Sequence, residues 1–137
     1  PKVYVCDSGL AAYLLGKDPA ALARPGEPAT EPLVETFVVN ELLRQAAWAE
    51  TDVRLRHYRD RDGTEVDLLL ESADGRVVAV EVKAGLSFRS RALQGLTKLR
   101  DRLGGDFVHG ILLYAGGEAL ALGDRLTALP ISALWRL

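Results

Sequence analysis

The segment Glu65–Lys83, EVDLLLESADGRVVAVEVK, constrains the fold more than any other part of the sequence. It is typical of two β-strands joined by a tight turn, because the Asp-Gly pair within Ser72–Arg76 favours a hairpin. Side chains alternate between the two faces of a strand, so Val78, Val80 and Val82 share one face. That face is entirely apolar, and we expect it to lie in the core of the protein.

Charged side chains lie unusually close to this apolar face. The first strand carries Asp67, which alternation places on the face opposite to Val66, and the second carries Glu81 and Lys83 on one face. Removing charge from water is costly unless it is paired or bound to an ion. Two carboxylates and a lysine on adjacent strands therefore suggest a Mg²⁺ site, since Mg²⁺ prefers oxygen ligands. The simpler alternative is a cross-strand salt bridge between Asp67 and Lys83.

A third carboxylate lies on the core side of a predicted helix. The helix spans about Leu33 to Trp48, and Thr30 is a candidate N-cap. At about 100° per residue, Glu35 falls near the centre of the apolar face, whereas Glu41 lies on a flank that we expect to face solvent. Glu35 therefore needs a partner. An arginine such as Arg59 is one candidate, and a metal ion shared with the strand acids is another.

The remaining pattern completes an α/β chain. A strand over residues 53–59 precedes the hairpin, and three antiparallel strands follow one another. A helix over residues 91–103 has a leucine stripe, and an apolar strand over 107–114 follows it, parallel to the Glu81 strand. The order α-β-β-β-α-β predicts an α/β sandwich with a mixed central sheet flanked by helices. Its candidate site residues would meet at one sheet edge: Glu35, Asp67, Glu81 and Lys83.

We expect a single domain in three parts, which are an N-terminal part (1–32), a core (33–114) and a C-terminal extension (115–137). In the first part, Lys2–Cys6 is predicted as a short strand with Cys6 in the core, and Asp7 or Ser8 would cap a short helix. A proline-rich loop with one helical turn follows. The extension is expected to contain a short strand at 119–122.

Charge and composition limit the partners. The net charge of −2 gives no general attraction to nucleic acid or anionic membranes, so a polyanion would need a local patch. A local phosphate-binding patch could be formed by Arg89, Arg91, Lys98, Arg100 and Arg102 together with Arg54, Arg56 and Arg61. A solvated helix face balanced by acids is the simpler interpretation of most of them. A single cysteine, Cys6, fits a reducing cytosol, and no apolar run is long enough to span a bilayer. We therefore expect a cytoplasmic protein with no membrane partner.

The order of these charged residues resembles the PD-(D/E)XK nuclease superfamily, which includes restriction endonucleases and Holliday-junction resolvases. Val66-Asp67 stands where that superfamily often has Pro-Asp, Glu81-Val82-Lys83 matches the (D/E)XK triplet, and Glu35 matches the helix acid. More narrowly, the chain resembles a domain-of-unknown-function family that forms the C-terminal part of bacterial and archaeal AAA-type ATPases. The stretches that carry this resemblance are PKVYVCDSGLAAYLLG, LVETFVVNELLR, HYRDRDGTEVDLLLE and VVAVEVKAG.

The resemblance implies a restriction-endonuclease-like fold and hydrolysis of DNA with Mg²⁺ or Mn²⁺. Asp67 and Glu81 would ligate the metal, Glu35 would be a third ligand directly or through water, and Lys83 would stabilise developing charge. The sequence begins at Pro1, contains no Met and has no GxxxxGK[ST] loop, so we expect the ATPase to lie in an N-terminal part of a longer protein. A non-catalytic DNA- or protein-binding module and a structural domain for oligomer contacts stay open.

Overall fold

A six-stranded mixed sheet forms the centre of the fold in the computed structural model, which describes residues 2–136. Its strands are β1 (Val53–Arg59), β2 (Glu65–Ser72), β3 (Val77–Lys83), β4 (Phe107–Tyr114), β5 (Leu120–Gly123) and β6 (Leu126–Pro130). The spatial order is β1-β2-β3-β4-β6-β5. The pairs β1–β2 and β2–β3 are antiparallel, β3–β4 and β4–β6 are parallel, and β5 is antiparallel to β6 at the far edge. The predicted mixed sheet is confirmed.

The helices of the structure are α1 (Ser8–Leu14), α2 (Pro19–Leu22), α3 (Thr30–Ala46) and α4 (Gln94–Leu103), with short 3₁₀ segments at Ser90–Leu93, Gly104–Asp106 and Ile131–Trp135. Helices α3 and α4 pack against the sheet through two separate clusters of buried residues. Within the part of the chain that the structure describes, no helix has both the length and the apolar character needed to cross a bilayer.

Strand β3 contributes to both cores. Val77 and Ala79 pack with the residues of α4, whereas Val80 and Val82 pack with those of α3. The predicted alternation of β3 is therefore confirmed, and the strand is covered on both faces, as is common for a strand that pairs in parallel with a neighbour, here β4. Full burial of each valine stabilises the fold by about 1.5–3 kcal/mol relative to exposure.

The leucine stripe of α4 explains why this helix packs on the sheet. Leu96 and Leu99 are buried, and Leu93 and Leu103 pack against the same core, as the periodicity predicts. Gly104 ends the helix with a positive φ of 56°, which residues other than glycine rarely adopt. The first turn is 3₁₀ rather than α-helical, which is common at helix ends.

The N-terminal strand predicted over Lys2–Cys6 is wrong. This segment is not part of the sheet, although Tyr4 packs against the α3-side core and the Val5 carbonyl accepts a hydrogen bond of 2.8 Å from Asn40 Nδ2. Cys6 is exposed, so its predicted burial is wrong as well. An unpaired extended segment has the same period of two as a strand, and the sequence pattern cannot distinguish them.

Helix caps agree with the sequence in one case and differ in another. The Asp7 carboxylate accepts a hydrogen bond of 2.7 Å from the Leu10 N–H and caps α1, as predicted. Thr30 is not the N-cap of α3, because the helix already begins there and Ala29 is the cap residue. The Thr30 hydroxyl instead donates to the Leu22 carbonyl at 2.8 Å, which ties α2 to α3.

Strand β6 is absent from the sequence-based prediction. It pairs in parallel with β4 and buries Leu126 and Ala128, so the segment expected as an extension contributes to the core. Its five residues end at Pro130, and so short a run before a proline is a weak strand signal. The predicted strand at 119–122 corresponds to β5, one residue further along.

A β-bulge in β2 changes which of its residues share a face. The register against β1 shifts between Arg56 and Tyr58, which leaves one additional residue in β2. Val66 and Leu69 consequently both lie in the α4-side core, whereas Leu68 lies in the α3-side core. Strict alternation along the sequence would place Val66 and Leu68 on one face of β2. That expectation is wrong, because it takes no account of a bulge.

The close approach of α4 to β2 yields a stability prediction. A Cβ atom on Gly95 would lie 2.5 Å from the Glu65 carbonyl oxygen and 3.1 Å from Val66 Cγ2. Alanine normally stabilises a helix by about 1 kcal/mol relative to glycine, but this contact involves backbone that cannot move freely. We expect Gly95→Ala to lower the free energy of unfolding by about 1–3 kcal/mol in urea denaturation.

Gly105→Ala is the matched control, because a Cβ atom there meets nothing within 4 Å. Its effect should stay within about 0.5 kcal/mol. A Gly95→Ala protein as stable as the wild type would contradict the tight packing of α4 against β2.

Candidate active site

The candidate site forms where β2 and β3 separate. Their ladder ends at the pair Leu68–Val80, and beyond it the Asp67 side chain lies between the two strands. Asp67 Oδ2 accepts a hydrogen bond of 2.9 Å from the N–H of Val82, a residue that has no partner in β2 at this point. The carboxylate thus replaces a backbone acceptor, and its side chain is only 12% exposed.

Glu81 and Lys83 form the second part of the site at the end of β3. Lys83 Nζ lies 3.0 Å from Glu81 Oε1 and 3.2 Å from Glu31 Oε1. Glu31 also accepts a hydrogen bond of 2.8 Å from the Ala84 N–H, so the first turn of α3 is joined to the end of β3. Glu31 was not predicted. Its position four residues before Glu35, on the same helix face, was the available signal.

Glu35 is held by the N-terminal segment. Its Oε1 accepts a hydrogen bond of 2.6 Å from the Tyr4 hydroxyl and lies 2.5 Å from Lys2 Nζ. Lys2 Nζ is also 3.1 Å from Glu65 Oε1 and 3.2 Å from Asp67 Oδ1. The partner of Glu35 is therefore Lys2 and not Arg59. Sequence periodicity did not indicate Lys2 or Glu65 as members of the site.

Glu41, by contrast, lies outside this site. Its side chain is only 15% exposed, and it accepts hydrogen bonds from Gln45 at 3.1 Å and from the Trp135 indole at 3.0 Å. The expectation that it faces solvent is wrong, because the C-terminal 3₁₀ segment covers this flank of α3.

The structure thus brings the four predicted residues into one region, in two ion clusters that meet between Asp67 and Glu81. We call the first the Lys2 cluster (Lys2, Glu35, Glu65 and Asp67) and the second the Lys83 cluster (Lys83, Glu31 and Glu81). Together they contain five carboxylates and two ammonium groups. With all groups ionised the region is negative, so its electrostatics favour a further cation or a bound proton.

Burial and neighbouring charges shift the pKa values of Glu81, Asp67 and Lys83. Burial and the charge of Asp67 raise the pKa of Glu81 to about 7, although Lys83 acts in the opposite direction. Burial also raises the pKa of Asp67, and the charge of Glu35 adds to that shift. Burial alone would lower the pKa of Lys83, but the charge and hydrogen bond of Glu81, together with Asp67 and Glu31, outweigh it, so the pKa of Lys83 is raised. The lysine therefore stays charged at neutral pH.

The donor set suits a cation bound by few protein ligands. Within residues 2–136, no three His, Cys, Asp or Glu side chains are arranged as a group that could hold a metal ion. Asp67 and Glu81 nevertheless lie close enough for the charge of Asp67 to raise the pKa of Glu81, and Mg²⁺ is often held by one or two carboxylates with water completing the shell. Glu35 is oriented towards Lys2 and Tyr4 instead.

A cleft of about 600 Å³ opens beside the Lys83 cluster. The residues that line it include Glu81, Lys83, Ser87, Arg89 and Arg91. Both arginines are exposed. The cleft therefore combines the candidate site with basic side chains that can contact a phosphate group.

Fold and site together define a mixed α/β protein with an acid–lysine site where two neighbouring strands separate. The chain belongs to the family described as a domain of unknown function (DUF4143), whose sequence profile matches residues 30–134. This confirms the domain-of-unknown-function part of the resemblance. A search of curated proteins and a search of solved structures each find no significant match.

The raised pKa of Glu81 leads to a prediction about stability and pH. Its pKa is about 7 in the folded protein against an ordinary value of 4.5, so the folded state binds more protons between these values. The free energy of unfolding should therefore fall as the pH rises through this window. We expect Glu81→Gln to remove most of this fall, on the order of 1–3 kcal/mol, in urea denaturation from about pH 5 to about pH 8.

Glu50→Gln is a suitable control, since Glu50 is exposed and far from both clusters in sequence. It should keep the wild-type pH dependence. An unchanged pH dependence in Glu81→Gln would show that Glu81 is already ionised in the folded protein at pH 5.

Proposed function

We propose that this domain has a restriction-endonuclease-like fold and hydrolyses DNA phosphodiester bonds with Mg²⁺ or Mn²⁺. The observation that best supports this proposal is the meeting of Asp67, Glu81 and Lys83 where β2 and β3 separate. Glu35 joins them from α3 through its shared contact with Lys2. A structural salt bridge would need one acid for each lysine, and this region has a clear excess of acids.

Asp67 and Glu81 are the proposed metal ligands, with Glu35 as a third ligand directly or through water. A bound metal would lower the pKa of a water molecule and stabilise negative charge on the phosphate. Because the pKa of Glu81 is about 7, this carboxyl must lose its proton before it can ligate a metal. Metal affinity should therefore increase as the pH rises through neutrality.

Lys83 is proposed to stabilise the negative charge that develops on the phosphate. Its raised pKa keeps the ammonium group protonated at neutral pH, which suits an electrostatic role better than that of a general base. Its contacts with Glu81 and Glu31 fix the ammonium group at the wall of the cleft.

The cleft supports a nucleic-acid substrate. The residues that line it include Arg89 and Arg91, and Arg91 also borders a smaller polar cavity with Lys98. These side chains can neutralise backbone phosphates on either side of the bond to be cleaved. With a net charge of −2, the protein would owe such contacts to this local patch and not to its overall charge.

We further propose that the domain is the C-terminal part of a cytoplasmic AAA-type ATPase. The support is the resemblance of the whole sequence to such C-terminal parts, together with its membership of the matched family.

A second function is a non-catalytic module that binds DNA or a protein partner beside the ATPase. One observation favours it, which is that the described residues hold no preformed group of three metal ligands. Lys2, and not a metal ion, neutralises Glu35 and Asp67. Such a module would bind through the cleft without cleaving.

Cleavage of labelled duplex, single-stranded and branched DNA with Mg²⁺ or Mn²⁺ tests the main proposal. We expect Asp67→Asn and Lys83→Ala to lower the cleavage rate by about 100-fold or more, because each removes a group that stabilises the transition state. Lys17→Ala is the control, since Lys17 pairs with Glu27 at 2.9 Å, away from the site.

Each outcome of this assay has a distinct meaning. Cleavage that survives in Lys83→Ala would refute the proposed site. Wild-type protein that binds DNA without cleaving it would favour the non-catalytic module.

A further inference from the structure

We propose that Lys2 is an internal competitor of the divalent metal, so that the segment Lys2–Cys6 controls whether the carboxylates can bind a metal ion. This inference rests on the proposed function, because it concerns regulation of the same site. It differs from that function in assigning a role to the N-terminal segment, which the site residues Asp67, Glu81 and Lys83 do not require.

The Lys2 ammonium group lies among three carboxylates. Its Nζ lies 2.5 Å from Glu35 Oε1, 3.1 Å from Glu65 Oε1 and 3.2 Å from Asp67 Oδ1. These three carboxylates come from α3 and β2, two elements far apart in sequence. One positive group therefore occupies the point at which acids from separate elements converge.

The two carboxylate oxygens of Asp67 have different partners. Oδ2 accepts a hydrogen bond of 2.9 Å from the Val82 N–H, and Oδ1 is held by Lys2. The backbone contact fixes the side chain, so Oδ1 is the oxygen that can change partner most easily. A metal that uses Oδ1 must take it from Lys2, and the ammonium and a divalent cation repel each other at such short range.

Lys83 does not compete in the same way. Its ammonium contacts Glu81 and Glu31 on the cleft side, and its short contacts do not include Glu35 or Asp67. Lys83 holds one proposed ligand, Glu81, through Oε1, so a metal ion can still reach Glu35 and Asp67 while Lys83 stays in place. Lys2, by contrast, must withdraw for Glu35 and Asp67 to share one ion. The two lysines have separable roles.

Lys2 belongs to a segment that can move away from the carboxylates without breaking the sheet. Among residues 2–136, no backbone–backbone hydrogen bond joins Lys2–Cys6 to any strand. Side chains hold the segment instead, through Asn40 Nδ2 to the Val5 carbonyl at 2.8 Å and the Tyr4 hydroxyl to Glu35 at 2.6 Å. Segments with so few hydrogen bonds open locally at low free energy.

The site would thus have two states. In the closed state Lys2 neutralises the Lys2 cluster, and metal binds weakly because Lys2 holds Glu35 Oε1 and Asp67 Oδ1, which leaves Glu81 as the remaining proposed ligand. In the open state the segment withdraws, and all three carboxylates are free to bind the ion. A metal shifts this equilibrium only by its difference in affinity for the two states.

Mn²⁺ binding to the purified chain tests this inference directly, by calorimetry and by the electron paramagnetic resonance signal of free Mn²⁺. The main variant is Lys2→Met, which keeps a long side chain and removes the charge. We expect its Kd for Mn²⁺ to fall by about tenfold or more relative to the wild type. Without metal its Tm should fall, because three carboxylates lose their counter-ion, and Mn²⁺ should restore it.

Two further lysine variants serve as controls. Lys17→Met removes a lysine from the Lys17–Glu27 ion pair, whose N–O distance is 2.9 Å and whose lysine is 32% exposed against 26% for Lys2. It should leave Mn²⁺ affinity unchanged. Lys2→Arg retains the charge and should keep the wild-type affinity or weaken it.

Asn40→Ala covers the case in which Lys2→Met does not fold. It removes the hydrogen bond to the Val5 carbonyl and so loosens the segment, and it leaves Lys2 and the carboxylates unsubstituted. It should also tighten Mn²⁺ binding, in the same direction but by less. Adding Asp67→Asn to Lys2→Met should abolish the gain in affinity.

The inference is overturned if Lys2→Met and the wild type bind Mn²⁺ equally, if neither binds it, or if the gain persists without the Asp67 carboxylate. Its failure can be told apart from failure of the proposed function by measuring DNA cleavage separately. Tighter Mn²⁺ binding without any cleavage would support the role of Lys2 and refute catalysis. DNA cleavage combined with equal Mn²⁺ affinity of Lys2→Met and the wild type would support catalysis and refute the role of Lys2.

Discussion

The hydrogen bond from the Val82 N–H to the Asp67 carboxylate is the interaction on which the rest of the site depends. Where β2 and β3 separate, a buried N–H without an acceptor would cost about 1–3 kcal/mol. Asp67 supplies that acceptor, but in doing so it introduces a charge that is itself nearly buried. That charge requires a cation nearby, and Lys2 supplies one at 3.2 Å. The separation of two strands thus leads, step by step, to an ion cluster.

Most of the central fold could be predicted from local pattern, because its signals are strong and short in range. The bounds of β1, β3 and β4 agree with alternation and with the turn residues between them. The N-terminal segment and β6 could not be predicted. An extended segment joins a sheet only if a strand edge is available to it, and a five-residue run is a strand only if a neighbour such as β4 pairs with it. Both depend on tertiary contacts.

The site was predictable for a different reason from the fold. Glu35, Asp67, Glu81 and Lys83 are charges in apolar surroundings, and such residues stand out against the pattern of an amphipathic helix or strand. Their partners do not. Lys2 is 65 residues from Asp67 in sequence, and Glu31 lies in an ordinary acidic first turn, so neither breaks a local rule. The bulge near Asp67 could not be predicted either, because it is defined by the register of β2 against β1 and not by any local pattern.

The balance of charge argues against a purely structural role for this region. Buried ion pairs contribute little net stability, and well-packed apolar residues often stabilise a fold as well or better. A structural cluster would therefore be expected to contain about as many lysines as acids, yet two lysines here face five carboxylates. Burial and the charge of Asp67 raise the pKa of Glu81 to about 7, so keeping this carboxylate ionised has a cost. Such a cost is compatible with the proposed exchange of one cation for another.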